Sequence, residues 1–186
     1  VNGAGRRFYA FTPEWNASFK AANLLLKAGA ELYRVYESLW LDDFSLPPGA
    51  FVVKSDAKAL STMKEIAKGI GLGFHGIDEI PEYAFRVKAP RVGIYRAWSQ
   101  MADEGWTRFV LEESGFPFEA LTPQDVRQGG LSERFDAIVF PDYPRNFIVD
   151  GMTAADQRSL NRDRYDPKYQ VGLGEQGVGE VLKFLR

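Results

Sequence analysis

The sequence predicts an α/β protein, a parallel three-layer sandwich preceded by a smaller α/β segment. Two observations lead there. Residues 91–142 alternate short apolar runs (RVGIY, FEAL, AIVF) with helix-patterned stretches, and strand–helix–strand–helix–strand order builds a parallel sheet with crossover helices. Residues 6–77 carry a similar rhythm, so the chain divides into an N-terminal segment over 1–80, a linker at about 81–90 and a larger domain over 91–186. With 186 residues, 45% hydrophobic and 26% charged, there is enough material for one large core or two small ones.

The aromatic run Arg6–Thr12 stops at Pro13 and reads as a strand. Asn16 or Ser18 can cap a helix whose apolar positions Phe19, Ala22, Leu25, Leu26 and Ala30 recur at helical spacing, with Gly29 ending it. Glu31–Tyr36 is short and β-prone, so residues 6–36 read as a βαβ unit with parallel strands. After the Leu46-Pro47-Pro48-Gly49 turn comes a strand over Ala50–Lys54. Ser55 or Asp56 then caps a helix with Ala59, Leu60, Met63, Ile66, Ala67 and Ile70 as its buried stripe. The glycines at 69, 71 and 73 end it, and Phe74–Ile77 can form one more short strand. Residues 78–90 are polar, proline-bounded and aperiodic, as a linker would be.

Beyond the linker, Arg91–Tyr95 opens the larger domain as a strand. A helix follows from about Asp103 to Ser114, with Trp106, Phe109, Val110 and Glu113 at i, i+3, i+4 and i+7, so its inner face should be aromatic. Phe118–Leu121 is the second strand, Thr122-Pro123 starts a short helix by the cap-then-proline rule, and Ala137–Phe140 is the third strand. Residues 143–175 show little periodicity and read as an extended surface loop with at most a short turn of helix. Glu175–Arg186 reads as a helix with Val178, Val181, Leu182 and Leu185 facing inward. Starting at Val1 and stopping at Arg186 inside that pattern, the chain reads as a fragment of a longer protein.

Composition narrows the chemistry. A net charge of -2, with no long run of one sign, gives no reason to expect nucleic acid or an anionic membrane as a partner. No apolar run reaches the ~18 residues of a membrane span. With no cysteine, thiolate chemistry and disulfides are excluded. His75 is the only histidine and reads as structural, so no metal site is expected. There is no G-x-S-x-G elbow either. Two glycine clusters imitate phosphate cradles, but Gly69–Gly73 follows a helix and Gly172–Gly177 lacks the preceding strand that a dinucleotide fingerprint needs. Neither a cofactor nor a catalytic residue is therefore assigned.

Open parallel sheets bind ligands beyond the carboxyl ends of their strands. Here those ends carry Trp98, Asp103, Glu104, Trp106, Arg108, Asp142, Tyr143 and Arg145, an aromatic and charged rim suited to a peptide or a small polar ligand. Structural explanations compete: Asp103 and Glu104 suit a helix N-terminus, and Trp106 suits the core. Asp163, Arg164, Tyr165 and Asp166 read as a solvated loop held by local ion pairs.

The segments RVGIYRAWSQMADEGWTRFVLEESGFPFEAL, FDAIVFPD and YDPKYQVGLGEQGVGEVLKFLR resemble the C-terminal region of large bacterial zinc carboxypeptidase-like proteins. There a class I glutamine amidotransferase-like layer follows the metallopeptidase domain. FYAFTPEWNASFKAANLLLKAGAELYRV and LPPGAFVV resemble the stretch that joins the two parts. The resemblance implies a flavodoxin-like, amidotransferase-like layer over 91–186 and an extracytoplasmic parent protein. The zinc-binding H-x-x-E of the peptidase and the cysteine elbow of an active amidotransferase are both absent, so neither activity carries over. What it implies for function is a non-catalytic accessory or scaffolding region whose partner is the peptidase domain and whose candidate ligand is a peptide. Two other readings remain: a module closing on a small ligand or peptide at a cleft near residues 78–90, and a carboxylate-based hydrolase using Asp103, Glu104 and Asp142.

Overall fold

The computed structural model describes residues 1–3, 5–41, 45–99, 101–153, 155–156 and 166–186. It divides into two compact units, one of residues 1–89 with 113–116 and one of 90–112 with 117–186.

The first unit runs β1 (Phe8–Phe11), α1 (Asn16–Lys27), β2 (Leu32–Val35), β3 (Leu39–Trp40), β4 (Ser45–Leu46), β5 (Phe51–Lys54), α2 (Ala57–Ile70), β6 (His75–Ile77) and β7 (Ala84–Val87). Five of these strands form one sheet in the order β6-β1-β5-β2-β7, each paired antiparallel with its neighbours. The β3–β4 hairpin and β7 aside, this is a split βαβ arrangement, βαββαβ with β5 threaded between β1 and β2. The βαβ unit expected over residues 6–36 is present with parallel strands, but split by β5. β1 and β2 point the same way but do not touch, because β5, buried along Phe51–Val53, takes the central place.

All four residues of β1 are buried, since the sheet is covered on both faces. Tyr9 and Phe11 join the cluster under the helices with Leu25, Leu32, Val53, Met63 and Phe74. Phe8 and Ala10 join the opposite cluster with Val35, Leu39, Leu46 and Val52, as a two-residue period requires. Phe11 anchors the first cluster, stacked on Phe51 at 5.0 Å and tilted against Phe74 at 5.1 Å. Asp56 caps α2 by accepting the Ala59 amide at 2.8 Å, and Gly71 ends that helix at φ 76°. α1 differs from its expected start: it has no side-chain cap, and Ser18 lies inside it, fully buried. The aperiodic reading of residues 78–90 is also corrected, because β7 pairs with β2 along its whole length. β7 is half exposed, so its sequence never had to be apolar enough to announce a strand.

The second unit runs β8 (Val92–Tyr95), α3 (Ala102–Glu113), β9 (Phe118–Leu121), α4 (Pro123–Gln128), α5 (Leu131–Arg134), β10 (Ala137–Val139), α6 (Arg145–Val149), a 3₁₀ turn (Pro167–Tyr169) and α7 (Gly174–Phe184). Its sheet has the order β10-β8-β9, parallel throughout, with Val92 opposite both Ala137 and Phe118. The molecule is thus mixed α/β, with a three-strand parallel sheet, a five-strand antiparallel sheet and the two-strand β3–β4 hairpin. Thr122 and Asp125 form a reciprocal capping box at α4, behind the proline that the sequence pointed to. Tyr95, Leu121, Val126, Leu131, Phe135, Tyr143 and Leu173 make the buried cluster on one face of the sheet.

Two helices face differently from expectation. The one buried residue of α3 is Glu104, while Trp106, Phe109 and Val110 are exposed, Trp106 at 65%. At about 100° per residue, turning Glu104 inward leaves Trp106 on the far side. In α7 the inward face is Gly177, Val181 and Phe184, so Val178, Leu182 and Leu185 face solvent. Within 143–175 the short turn of helix that the sequence allowed becomes two pieces, the five-residue α6 and the 3₁₀ turn; residues 157–165 lie outside the described part.

Candidate functional site

The first strand of the second unit lies in the centre of its sheet, and the chain crosses from one side of it to the other between β9 and β10. Such an order sets a switch point beyond the carboxyl ends of β8 and β10. β8 ends in Tyr95, which is fully buried, donates its hydroxyl to the Ile148 carbonyl at 3.2 Å and stacks on Phe140 at 5.0 Å. The chain then turns through Arg96, Ala97 and Trp98 before α3 begins. Trp98 is buried against Phe147 of α6 at 5.1 Å. Tyr143, just past β10, meets the Tyr95 ring edge-on at 6.2 Å.

Against this aromatic floor stands one buried charge. Glu104, in the first turn of α3, is 6% exposed, and its Oε1 accepts no hydrogen bond. Its ion-pair partner is Arg108 one helical turn on, at 3.5 Å, a guanidinium that also lies 5.8 Å from the centre of the Phe118 ring. That ion pair falls on Oε1 itself, so the oxygen is charge-paired but lacks a hydrogen bond of normal geometry. The Tyr143 hydroxyl is also buried, feels the Glu104 charge and makes no hydrogen bond of normal geometry. Burial first, and the Glu104 charge second, push the Tyr143 phenol up to about 12; the Ala97 amide and the Arg96 guanidinium pull the other way. Tyr95 is raised further, chiefly by burial. Tyr143 is therefore a neutral hydroxyl at any physiological pH, able to donate or accept. Arg96 lies over the Tyr169 ring at 5.2 Å. Chemically, Glu104 is an acceptor for N–H or ammonium donors, and Tyr143 can donate or accept one hydrogen bond.

Of the eight rim residues expected from sequence, Trp98, Glu104 and Tyr143 are buried here, and Arg108, half-exposed against Phe118 at the start of β9, reaches the group only through its ion pair with Glu104. Asp103, Asp142 and Arg145 are exposed, and Trp106 points to solvent, which corrects its assignment to the core. The carboxylate site imagined from Asp103, Glu104 and Asp142 has one buried member. Sequence reasoning missed Tyr95, Phe147 and Tyr169. Phe147 was hidden because Arg145–Val149 has no run long enough to announce a helix, and Tyr95 because a strand-end tyrosine carries no signal of its own.

The Gly172–Gly177 motif has a packing explanation. Gly172 and Gly151 bring two backbone strands together, and a Cβ on either would overlap main-chain atoms of the other segment. A Cβ on Gly177 would stand 2.9 Å from that of Leu173. Leu173 in turn receives the Arg127 guanidinium on its carbonyl at 3.1 Å. Among the described residues, no group of three or more His, Cys, Asp or Glu side chains converges as metal ligands would, and no helix is long and apolar enough to cross a membrane. Asp163, Arg164 and Tyr165 lie outside the described residues; Asp166 is exposed, pairs with Lys168 at 3.2 Å and accepts its amide.

No protein-family model, curated protein or solved structure matches this chain.

Proposed function

We propose that this chain is a non-catalytic binding and scaffolding region that takes a peptide group or small amine-bearing ligand at the carboxyl edge of its parallel sheet. The observation that carries the reading is the buried Glu104 carboxylate, whose Oε1 is charge-paired with Arg108 at 3.5 Å but accepts no hydrogen bond, and whose charge reaches the buried, neutral Tyr143 hydroxyl. Burying a carboxylate is costly, and an open acceptor adds to that cost unless something completes it. The finer fold belongs to the same proposal. A parallel order with the first strand central is the beginning of a doubly wound, flavodoxin-like sheet, which supports an amidotransferase-like layer. The partner in this reading is the peptidase domain of an extracytoplasmic zinc carboxypeptidase-like parent.

The test is an amide-shift titration by NMR with glycyl dipeptides carrying a free amino group and with their N-acetylated forms. Free-amine dipeptides should shift Arg96–Ser99, the first turn of α3 and Tyr143, and Glu104→Gln should abolish those shifts. Shifts confined to other regions, or a Glu104→Gln chain that binds as well as the parent, would remove the site. Turnover of the dipeptides would remove the non-catalytic part. For the partner, a parent protein lacking this region should regain thermal stability or peptidase activity when the isolated chain is added; no change in either argues against scaffolding.

A further inference from the structure

The first unit carries a groove that the reading above does not use. It runs between α1 and α2, holds about 530 Å³ and is lined by the apolar Leu24, Ile66 and Ile70, by Lys20, Lys27 and Lys58, and by one acid, Glu65. That volume lies within the range of small-molecule sites, about 300–1,000 Å³.

Topology arranges the charge. α1 joins β1 to β2 and α2 joins β5 to β6, two pairs pointing in opposite directions, so the helices run antiparallel. The last turn of α1, with Lys27, therefore lies beside the first turn of α2, with Lys58. Both are exposed, and neither has a carboxylate partner among the described residues. Lys20, further along, takes the Glu113 carboxylate of the same unit at 3.7 Å, so a carboxylate already sits at the rim. The charge is segregated: α1 and α2 carry Lys20, Lys27, Lys58, Lys64 and Lys68 against the single acid Glu65, in a chain whose net charge is -2. Two unpaired ammonium groups at one end of an apolar trough are complementary to an anionic head on an aliphatic tail.

We propose that this groove binds an anionic amphiphile, a free alkyl carboxylate in its simplest form. The head group sits between Lys27 and Lys58, and the tail lies over Leu24 and Ile66 toward Ile70. The probe is decanoate, titrated below its self-association concentration into the full chain and followed by amide shifts. Decanoate should shift residues of α1 and α2 and leave the Glu104 region unmoved. Decanol should bind at least tenfold more weakly, and the surface double variant Lys27→Gln/Lys58→Gln should lose at least tenfold in affinity while keeping its melting temperature. Glu104→Gln should bind decanoate like the parent chain, so this proposal and the preceding one fail separately. Equal binding of decanol, indifference to the lysine changes, shifts outside the two helices, or occupancy by an acidic peptide but not by decanoate would each overturn it.

Discussion

Gly172 shows how a single residue type can be fixed by backbone geometry alone. Its neighbour across the gap is main chain, which cannot rotate away, so Gly172→Ala should cost about 2 kcal/mol or more, within the range for a clash with no room to relax. Chemical denaturation measures it, and a loss under 0.5 kcal/mol would contradict the close approach. Tyr143 gives a pH dependence. Its phenol titrates at 10.0 when unperturbed and at about 12 in the fold, so in between the native state holds more protons than the unfolded one. The contribution is complete below pH 10 and is lost as pH rises toward 12, hence stability falls on the alkaline side. Tyr143→Phe should flatten part of that decline, and Glu104→Gln should lower the Tyr143 titration midpoint as read by ultraviolet absorbance. His75 works on the acid side: burial lowers its pKa from 6.5, so the neutral ring is the native form. That contribution is full above pH 6.5 and lost as pH falls below it, a slope that His75→Asn should reduce in the same denaturation series.

At the scale of elements, legibility tracked whether the local signal and the packing agreed. Asp56 and Thr122 were readable because a cap is a local device, and Asp56→Ala should cost about 1 kcal/mol by the loss of one N-terminal hydrogen bond. α3 was readable as a helix but not in its orientation. Its sequence has an apolar stripe through Trp106, Phe109 and Val110, and nothing local says that the opposite side, with Glu104, turns inward. The consequence is measurable. Trp106→Ala should change stability by no more than about 0.5 kcal/mol, whereas a core tryptophan would cost about 3–5. The candidate site was half legible for the same reason. The rule that ligands sit at strand ends located Trp98 and Tyr143, but it could not sort Glu104 from its neighbour Asp103, a choice made by helix phase. In β7 the failure was one of pattern, since an edge strand half open to water need not alternate.

For the whole molecule, the sequence rhythm indicated α/β layers and left the pairing of the first unit unresolved. Alternation of strand and helix is the same text whether the returning strand lies beside its predecessor or one place away. The two sheets have central strands of contrasting kind, β1, β5 and β2 inside the antiparallel sheet and β8 inside the parallel one. Amide hydrogen exchange should therefore be slowest at β5 and β8 and faster at β7 and β10, because edge strands open without breaking the ladder. Uniform protection across both sheets would contradict the strand orders.

The place of β5 also sets a timetable. A ribosome delivers β1, α1 and β2 first, yet those strands have no edge to share until Phe51–Lys54 has emerged between them. For that interval the aromatic run Phe8–Phe11 lacks both strand neighbours and has at most α1 over one face, and it is the kind of segment that chaperones hold. Nascent chains halted before Pro48 should bind such holdases and be cut rapidly by protease, and chains extended past His75, where β6 completes the four-strand core, should resist both.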